Sequence, residues 1–292
     1  MRYTIRLQIN YQYSAPSDHL RNILRLMPQD GPQQRVRRRH LWIDPWPDER
    51  RDGVDFFGNT TTLAVWHRPV AQVAFTLEAD AERQDRPQDD RSRLLSDMPD
   101  LLADQNWIAA RAPLHFSAPS PRIGQIPEIN AFAFSSVPQN LTAFAAVEAL
   151  GRAIHARIAF DPTATDVATP PESAFANGRG VCQDMAQIMI AGLRGLGIPA
   201  GYVSGFLRTE PPPGQPRLEG VDAMHGWVTA WVGPEMGWVE YDPTNARWAG
   251  VDYITVAWGR DYADAAPVRG ALRTSGAQRT SHAVDVIAQD GF

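Results

Sequence analysis

The single cysteine of the chain, Cys182, is the side chain best suited to covalent chemistry. A lone thiol cannot form an intrachain disulfide, and it cannot build a cysteine-rich zinc site. It therefore either fills a core or acts as a nucleophile. Only a thiolate attacks an acyl carbon, and a helix N-terminus or a neighbouring imidazolium favours the thiolate. The function of Cys182 thus depends on the groups around it.

Two polar residues downstream of Cys182 could complete a catalytic triad. His225 opens the segment HGWVTAWV, and Asp242 ends the next apolar segment, GWVEYDPT. Adjacent antiparallel strands would place Asp242 beside His225, where a carboxylate fixes the ring tautomer and stabilises the charged ring. Such a triad attacks an amide carbonyl to give a thioester, and the backbone N–H of Cys182 is placed to stabilise the oxyanion. Attack by water then makes a peptidase or amidase, and attack by an amine makes a transglutaminase.

The elements that must position these residues follow from hydrophobic spacing. Apolar residues recur at three- and four-residue steps from Cys182 to Leu196, which predicts a helix with Cys182 at or near its N-terminus. Strand-like segments follow at 200–207, 225–232 and 237–241. This order of a helix and then strands favours an α+β domain. The segment 208–224 is rich in Pro and Gly, which indicates an exposed loop that could border the site.

The N-terminal part of the chain has a different pattern. Tyr3, Ile5, Leu7 and Ile9 alternate with polar residues, as in a half-buried strand. Further strand-like runs at 23–27, 36–43, 60–67 and 70–77 predict an antiparallel β-sandwich. We therefore expect a β-sandwich domain at 1–80, a connector with short helices at 81–139, and a second domain at 140–292 that begins with a helix over 141–158.

Several of these motifs carry a family resemblance. The segment GRGVCQDMAQIMIAGLRGLGIPAGYVSGF, followed by MHGWVTAWV and WVEYDPTNA, resembles the transglutaminase-like superfamily, in its bacterial cysteine-protease branch. LRLMPQD and DFFGNTTT resemble the N-terminal β-domain of that branch. The resemblance implies a papain-like fold, a triad at Cys182, His225 and Asp242, and no organic cofactor. The tail GALRTSGAQRTSHAVDVIAQDGF departs from the glycine-rich strand that is usual in the family.

Composition narrows the choice of partners. The net charge of −5 gives no electrostatic basis for binding nucleic acid. No stretch reaches the length of a membrane helix and no signal peptide is evident, so a cytoplasmic protein without membrane contact is expected. The remaining histidines show no metal-ligand spacing, and no metal site is predicted. A peptide or protein substrate is the expected partner.

Less specific interpretations compete with the triad. A cysteine on an apolar helix face commonly fills a core, but the joint occurrence of GVCQD, HGWV and EYDPT favours catalysis. Hydrolysis is the preferred reaction; a true transglutaminase and a non-catalytic peptide-binding scaffold are the alternatives. A set of aromatic residues could line a substrate groove, although their alternating strand positions favour core packing. They are Trp227, Trp231, Trp238, Tyr241 and Trp248.

Overall fold

A computed structural model describes residues 1–85, 89–209, 220, 222–273 and 277–289. The strands are β1 (Arg2–Leu24), β2 (Gln34–Asp44), β3 (Glu49–Val54), β4 (Thr60–Trp66), β5 (Val70–Arg83), β6 (Ala159–Phe160), β7 (Arg179–Gly180), β8 (Ala200–Leu207), β9 (Ala223–Trp231), β10 (Trp238–Asp242), β11 (Arg247–Trp248), β12 (Tyr253–Gly259), β13 (Val268–Arg273) and β14 (Gln278–Gln289). The α-helices are α1 (Met98–Ala103), α2 (Pro127–Ser136), α3 (Ala143–Arg157), α4 (Pro171–Asn177), α5 (Cys182–Gly195) and α6 (Tyr262–Ala265).

The first sheet is built around β1. The first part of this strand pairs with β5 and β14, and its last part pairs with β4 and β13. The alternation read from the sequence is confirmed, because Tyr3, Ile5, Leu7 and Ile9 are all buried. Strand β3 was not predicted. Its sequence, ERRDGV, is almost wholly exposed at the sheet edge and has no apolar periodicity.

The second sheet carries the segments predicted to position the site. Its strand order is β11-β10-β9-β8-β12, and all its pairings are antiparallel. The predicted strands 200–207, 225–232 and 237–241 correspond to β8, β9 and β10. Helix α5 packs on β8 and β9 with its apolar residues buried. The expected α+β class with antiparallel sheets is therefore confirmed.

Helix α3 agrees closely with the predicted span of 141–158. The hydroxyl of Thr142 accepts a hydrogen bond from the N–H of Ala145 at 3.2 Å, which caps the helix. The segment predicted as a connector contributes α2 to the same core. A Cβ on Gly192 of α5 would lie 3.2 Å from Ala133 of α2, so these two helices approach closely.

The last segment of the chain returns to the first sheet. Strands β13 and β14 fall within the predicted second domain, 140–292, yet both pair with β1. The physical reason is burial: Val284 and Val286 of β14 are fully buried, and β1 offers them a sheet in which they are covered. The chain therefore begins in the first sheet, passes through the second, and ends in the first again.

Side-chain amides join the two sheets. Gln34 donates to the carbonyl of Thr255 at 2.7 Å and accepts from its N–H at 2.8 Å. Asn59 does the same for Trp258, at 2.7 and 2.9 Å. These amides satisfy the outer backbone groups of β12, an edge strand of the second sheet. Among the described residues, no helix is long and apolar enough to cross a membrane.

Candidate active site

Cys182 is the first residue of α5 and is partly exposed. The helix start is held by Asp184, whose Oδ2 accepts the N–H of Val181 at 2.8 Å and the hydroxyl of Thr165 at 2.6 Å. A Cβ at Gly180 would lie 2.7 Å from the same oxygen, so the turn before Cys182 requires glycine. The predicted placement of Cys182 at a helix N-terminus is confirmed.

His225 and Asp242 meet across neighbouring strands of the second sheet. Strands β9 and β10 pair so that Tyr241 lies opposite Val228, and Asp242 follows at the end of β10. The Nε2 atom of His225 lies 2.8 Å from Oδ2 of Asp242. Asp242 is fully buried, and His225 is only 8% exposed. The two residues predicted to act together are therefore in direct contact.

Asp242 is held by a dense set of donors. Its Oδ2 also accepts the hydroxyl of Tyr253 at 2.7 Å and the side-chain N–H of Asn245 at 2.6 Å. Its Oδ1 accepts the backbone N–H of Thr244 at 2.8 Å. Sequence reasoning missed Asn245 and Tyr253. Asn245 could have been found in the DPTN motif, since Asp commonly anchors such a turn, but no local signal marks Tyr253.

These contacts set the charge of the pair. Burial alone would lower the pKa of His225, but hydrogen bonds and charge attraction to Asp242 and Cys182 outweigh it and raise the pKa from 6.5 to about 10. Burial would raise the pKa of Asp242, yet its hydrogen bonds, first that with His225, lower it to about 2. The ring is thus charged, and Asp242 is ionised, across the neutral pH range.

Cys182 and His225 open into the same cleft, which has a volume of about 370 Å³. One wall comes from α5 and the second sheet, and the other comes from the first sheet. The wall from α5 and the second sheet includes Cys182, Gln183, Tyr202, Ser204, Met224, His225 and Gly226, and the first-sheet wall includes Ile9, Tyr11, Thr280 and His282. The first sheet is therefore part of the candidate site.

Tyr202 is one of the residues that line this cleft. The hydroxyl lies against Gly226, where a Cβ would be only 1.9 Å away. Tyr202 is 3% exposed, and none of the residues that the structure describes forms a hydrogen bond with its hydroxyl. Burial, followed by the charges of Cys182 and its neighbours, raises the pKa of Tyr202, so the phenol keeps its proton. The protonated hydroxyl is therefore an available donor in the surroundings of Cys182.

The aromatic set from the sequence lies outside the described lining of the cleft. Trp227 and Tyr241 are fully buried, as core packing requires. Trp227 also stacks beside the His225 ring at 6.2 Å and donates through Nε1 to Glu240 at 3.0 Å. Core packing is thus the better interpretation, and Trp227 additionally fixes one side of the histidine ring.

Two further expectations concern the surroundings of the site. Within the described ranges, no group of three or more His, Cys, Asp or Glu side chains is arranged to hold a metal ion. Most of the loop expected at 208–224 lies outside the described residues, namely 210–219 and 221. Its role in bordering the cleft stays a prediction.

Comparison with known proteins places the chain in a family. A model of the bacterial transglutaminase-like N-terminal region matches residues 3–82, and one of the transglutaminase-like superfamily matches residues 131–243. An uncharacterized protein of Mycobacterium tuberculosis is 34% identical over 304 residues, covering 99% of this chain and 94% of that protein. The chain belongs to the transglutaminase-like superfamily. The resemblance seen in the sequence is confirmed.

Other members of the transglutaminase-like superfamily have a similar extent. An uncharacterized protein of Mycobacterium leprae is 27% identical over 94% of this chain and 95% of its own length. A crystal structure from Cytophaga hutchinsonii, of a protein provisionally named a cysteine protease, matches with a TM-score of 0.73 and 19% identity. That match covers 100% of this chain and 92% of the other. The two-sheet arrangement is therefore shared across the whole length.

Proposed function

We propose that this protein is a thiol-dependent acyltransferase that acts on amide or peptide bonds, with water as its principal acceptor. One observation carries the proposal: the His225–Asp242 pair, joined at 2.8 Å, shares a cleft with Cys182 at the start of α5. A buried, ionised pair beside a thiol is costly to a protein that only packs a core. A catalytic role for the three residues would account for this arrangement.

The acylation step follows from the order of contacts. Because Nε2 of His225 is bonded to Asp242, Nδ1 is the nitrogen left to face the thiol. The Cys182 sulfur, as thiolate, attacks the carbonyl carbon, and the carbonyl oxygen gains the negative charge. The N–H of Cys182 and the hydroxyl of Tyr202 donate to that oxyanion. The C–N bond then breaks, the leaving amine takes a proton from His225, and a thioester remains.

Deacylation returns the enzyme to its starting state. A water molecule attacks the thioester carbon and gives one proton to the neutral His225 ring. The C–S bond breaks, the carboxylic acid leaves, and the thiolate–imidazolium pair is restored. Partial exposure of Cys182 supports water as the acceptor, since the thioester would be open to solvent. An amine in place of water would give transglutaminase chemistry through the same residues.

The test is mass spectrometry of a peptide library incubated with the protein, with and without putrescine as amine. We expect cleavage or deamidation without incorporation of the amine. Both should be lost in Cys182→Ala and reduced at least about 10³-fold in His225→Ala. Putrescine attached to glutamine would instead show a transglutaminase. A folded protein whose Cys182 reacts with iodoacetamide no faster than free cysteine would indicate a binding scaffold.

A further inference from the structure

Strand β14 presents its outer edge to the cleft. It is an edge strand, because in the described structure only β1 pairs with it along its length. Just before β14 begins, the N–H of Ser14 in β1 donates to the carbonyl of Ala277 at 2.9 Å. In an antiparallel strand, successive residues point their backbone groups to opposite edges. The odd-numbered residues of β14 therefore bond to β1, and the even-numbered ones point outward.

Two described hydrogen bonds of Asp222 confirm which edge is outward. The N–H of Asp222 donates to the carbonyl of Val284 at 3.2 Å, and the N–H of Val286 donates to the carboxylate of Asp222 at 2.6 Å. Both β14 residues are even-numbered. Asp222 thus occupies the far end of the outer edge, as one residue of an added strand would.

Among the described residues, the rest of this edge has no strand paired with it. Past Asp222 the chain enters β9, which pairs with β8 and β10, and no described strand pairing joins β9 to β14. The next outward residues, His282 and Thr280, have no hydrogen-bond partner for their backbone N–H and C=O groups among the described residues. Both line the cleft that contains Cys182. From Val284 to Thr280 the edge runs about 14 Å, at ~3.4 Å per residue.

We infer that the substrate is an extended peptide segment that docks as an added strand on the edge of β14. Its backbone pairs with His282 and Thr280, and its acyl carbonyl is thereby directed across the cleft to Cys182. Unpaired edge groups beside a nucleophile favour an occupant that supplies both donors and acceptors at strand spacing. An unfolded polypeptide supplies them whatever its sequence. The inference deepens the proposed function and rests on it for the chemistry.

Side chains beside this edge add apolar contact. Ile9 and Tyr11 lie opposite His282 and Thr280 in the register, so their side chains share one face of the sheet and line the same cleft. Alternate side chains of a docked strand would rest on that face. Specificity should therefore be broad, with a preference for apolar residues at alternate positions.

The first test uses the Cys182→Ala protein, so that binding is measured without chemistry. Unfolded α-casein is the probe, and hydrogen exchange is followed at single amides by NMR. We expect the amides of Thr280 and His282 to gain about tenfold or more protection, while that of Ser281, already bonded to β1, is unchanged. Protection that appears only elsewhere, or no binding of α-casein, would overturn the inference.

The second test compares His282→Pro with His282→Ala, both with Cys182→Ala. Each variant loses the imidazole, but only proline removes the outward N–H, and an outward edge position accepts proline. Loss of one main-chain hydrogen bond should weaken binding of α-casein about 2- to 12-fold in His282→Pro relative to His282→Ala. Equal affinities with equal thermal stabilities would contradict the added strand.

Failure of the proposed function has a different signature. In that case the Cys182→Ala protein still binds α-casein at the β14 edge, while the unaltered protein neither cleaves nor deamidates any peptide. Failure of the edge pairing leaves turnover intact and gives no protection at Thr280 and His282.

Discussion

At the scale of single residues, the site is defined by how completely Asp242 is bonded. Its two oxygens accept hydrogen bonds from one ring, one phenol, one amide and the backbone, although the carboxylate has no exposure to solvent. Such bonding to the charged form offsets the cost of burial. The same bonds orient His225 toward Cys182. The charges of His225 and Asp242 therefore depend on Asn245 and Tyr253 as well as on the contact between the two.

The charge of His225 is the first property to test. Because its pKa is raised from 6.5 to about 10, the ring should titrate near pH 10 when followed by NMR of the imidazole carbons. In Asp242→Asn the carboxylate is lost, so only Cys182 opposes the lowering of the His225 pKa by burial. The midpoint of the His225 titration should therefore fall by several pH units. A midpoint near 6.5 in the unaltered protein would contradict this assignment.

The pair also links stability to pH. The raised pKa of His225 contributes stability that is fully present below pH 6.5 and is lost as pH rises through about 10. The lowered pKa of Asp242 contributes stability that is present above its usual value of 3.8 and is lost as pH falls through about 2. Urea unfolding should therefore show that the unaltered protein and Asp242→Asn differ in free energy of unfolding, and that this difference shrinks toward acidic and toward alkaline pH. A pH-independent difference would contradict the linkage.

Two tyrosines provide a matched comparison of hydroxyl groups. Tyr253→Phe removes a donor to Asp242 and an acceptor for the Nε of Arg247, so we expect a loss of about 1–3 kcal/mol in the free energy of unfolding and slower turnover. The buried hydroxyl of Tyr241 has no partner in the described structure, so Tyr241→Phe should be neutral or stabilising. Equal losses in urea unfolding of the two variants would contradict the model of the network.

The Tyr202 hydroxyl should act only where an oxyanion forms. Hydrolysis of p-nitrophenyl acetate passes through an oxyanion, whereas alkylation by iodoacetamide does not. We expect Tyr202→Phe to slow acylation by the ester about 10- to 10³-fold and to leave the alkylation rate of Cys182 within about twofold. A parallel loss in both reactions would indicate that Tyr202 acts on the thiol itself.

At the scale of elements, the N-terminus of α5 must be fixed for Cys182 to reach the ring. Asp184 ties this terminus to the preceding turn and to Thr165. Asp184→Ala should cost about 1–2 kcal/mol of stability and lower the iodoacetamide rate, because the helix start loses its acceptor. Thr165→Val, which removes only the tie to the loop, should cost less. Equal effects of the two variants on the alkylation rate would show that the contact with Thr165, and not the bond to the N–H of Val181, positions the thiol.

At the scale of the whole molecule, the two sheets are joined by side-chain amides, and the chain returns from the second sheet to the first. Gln34 and Asn59 bond to the outer edge of β12, and after β12 the chain returns to the first sheet, where β14 pairs with β1. The cleft lies where the sheets meet, and both contribute walls to it. A substitution at the junction of the sheets should therefore affect the candidate site without altering Cys182, His225 or Asp242.

Calorimetry tests this coupling. We expect the unaltered protein to unfold in one transition. The double variant Gln34→Ala/Asn59→Ala should unfold in two transitions, because the backbone groups of Thr255 and Trp258 lose their side-chain partners. Gln33→Ala, next along the chain but without a described side-chain hydrogen bond to β12, is the control. A single unshifted transition in the double variant would show that the sheets are held together by apolar packing alone.

The sequence by itself determined the parts of this protein that are local. The spacing of apolar residues predicts α5 with Cys182 at or near its N-terminus, and period-two alternation predicts the first part of β1. The joint motifs around Cys182, His225 and Asp242 also indicated the family. These signals are readable because each depends on residues a few positions apart, where helix and strand geometry fixes which side chains share a face.

Only the tertiary structure decided which distant groups meet. Nothing in the sequence pairs Tyr253 with Asp242, places the Tyr202 hydroxyl against Gly226, or brings β14 from the end of the chain to β1. These contacts join residues far apart in sequence, and they form because burial must cover apolar faces and satisfy buried polar groups together. The edge of β14 that borders Cys182 is a product of that long-range packing.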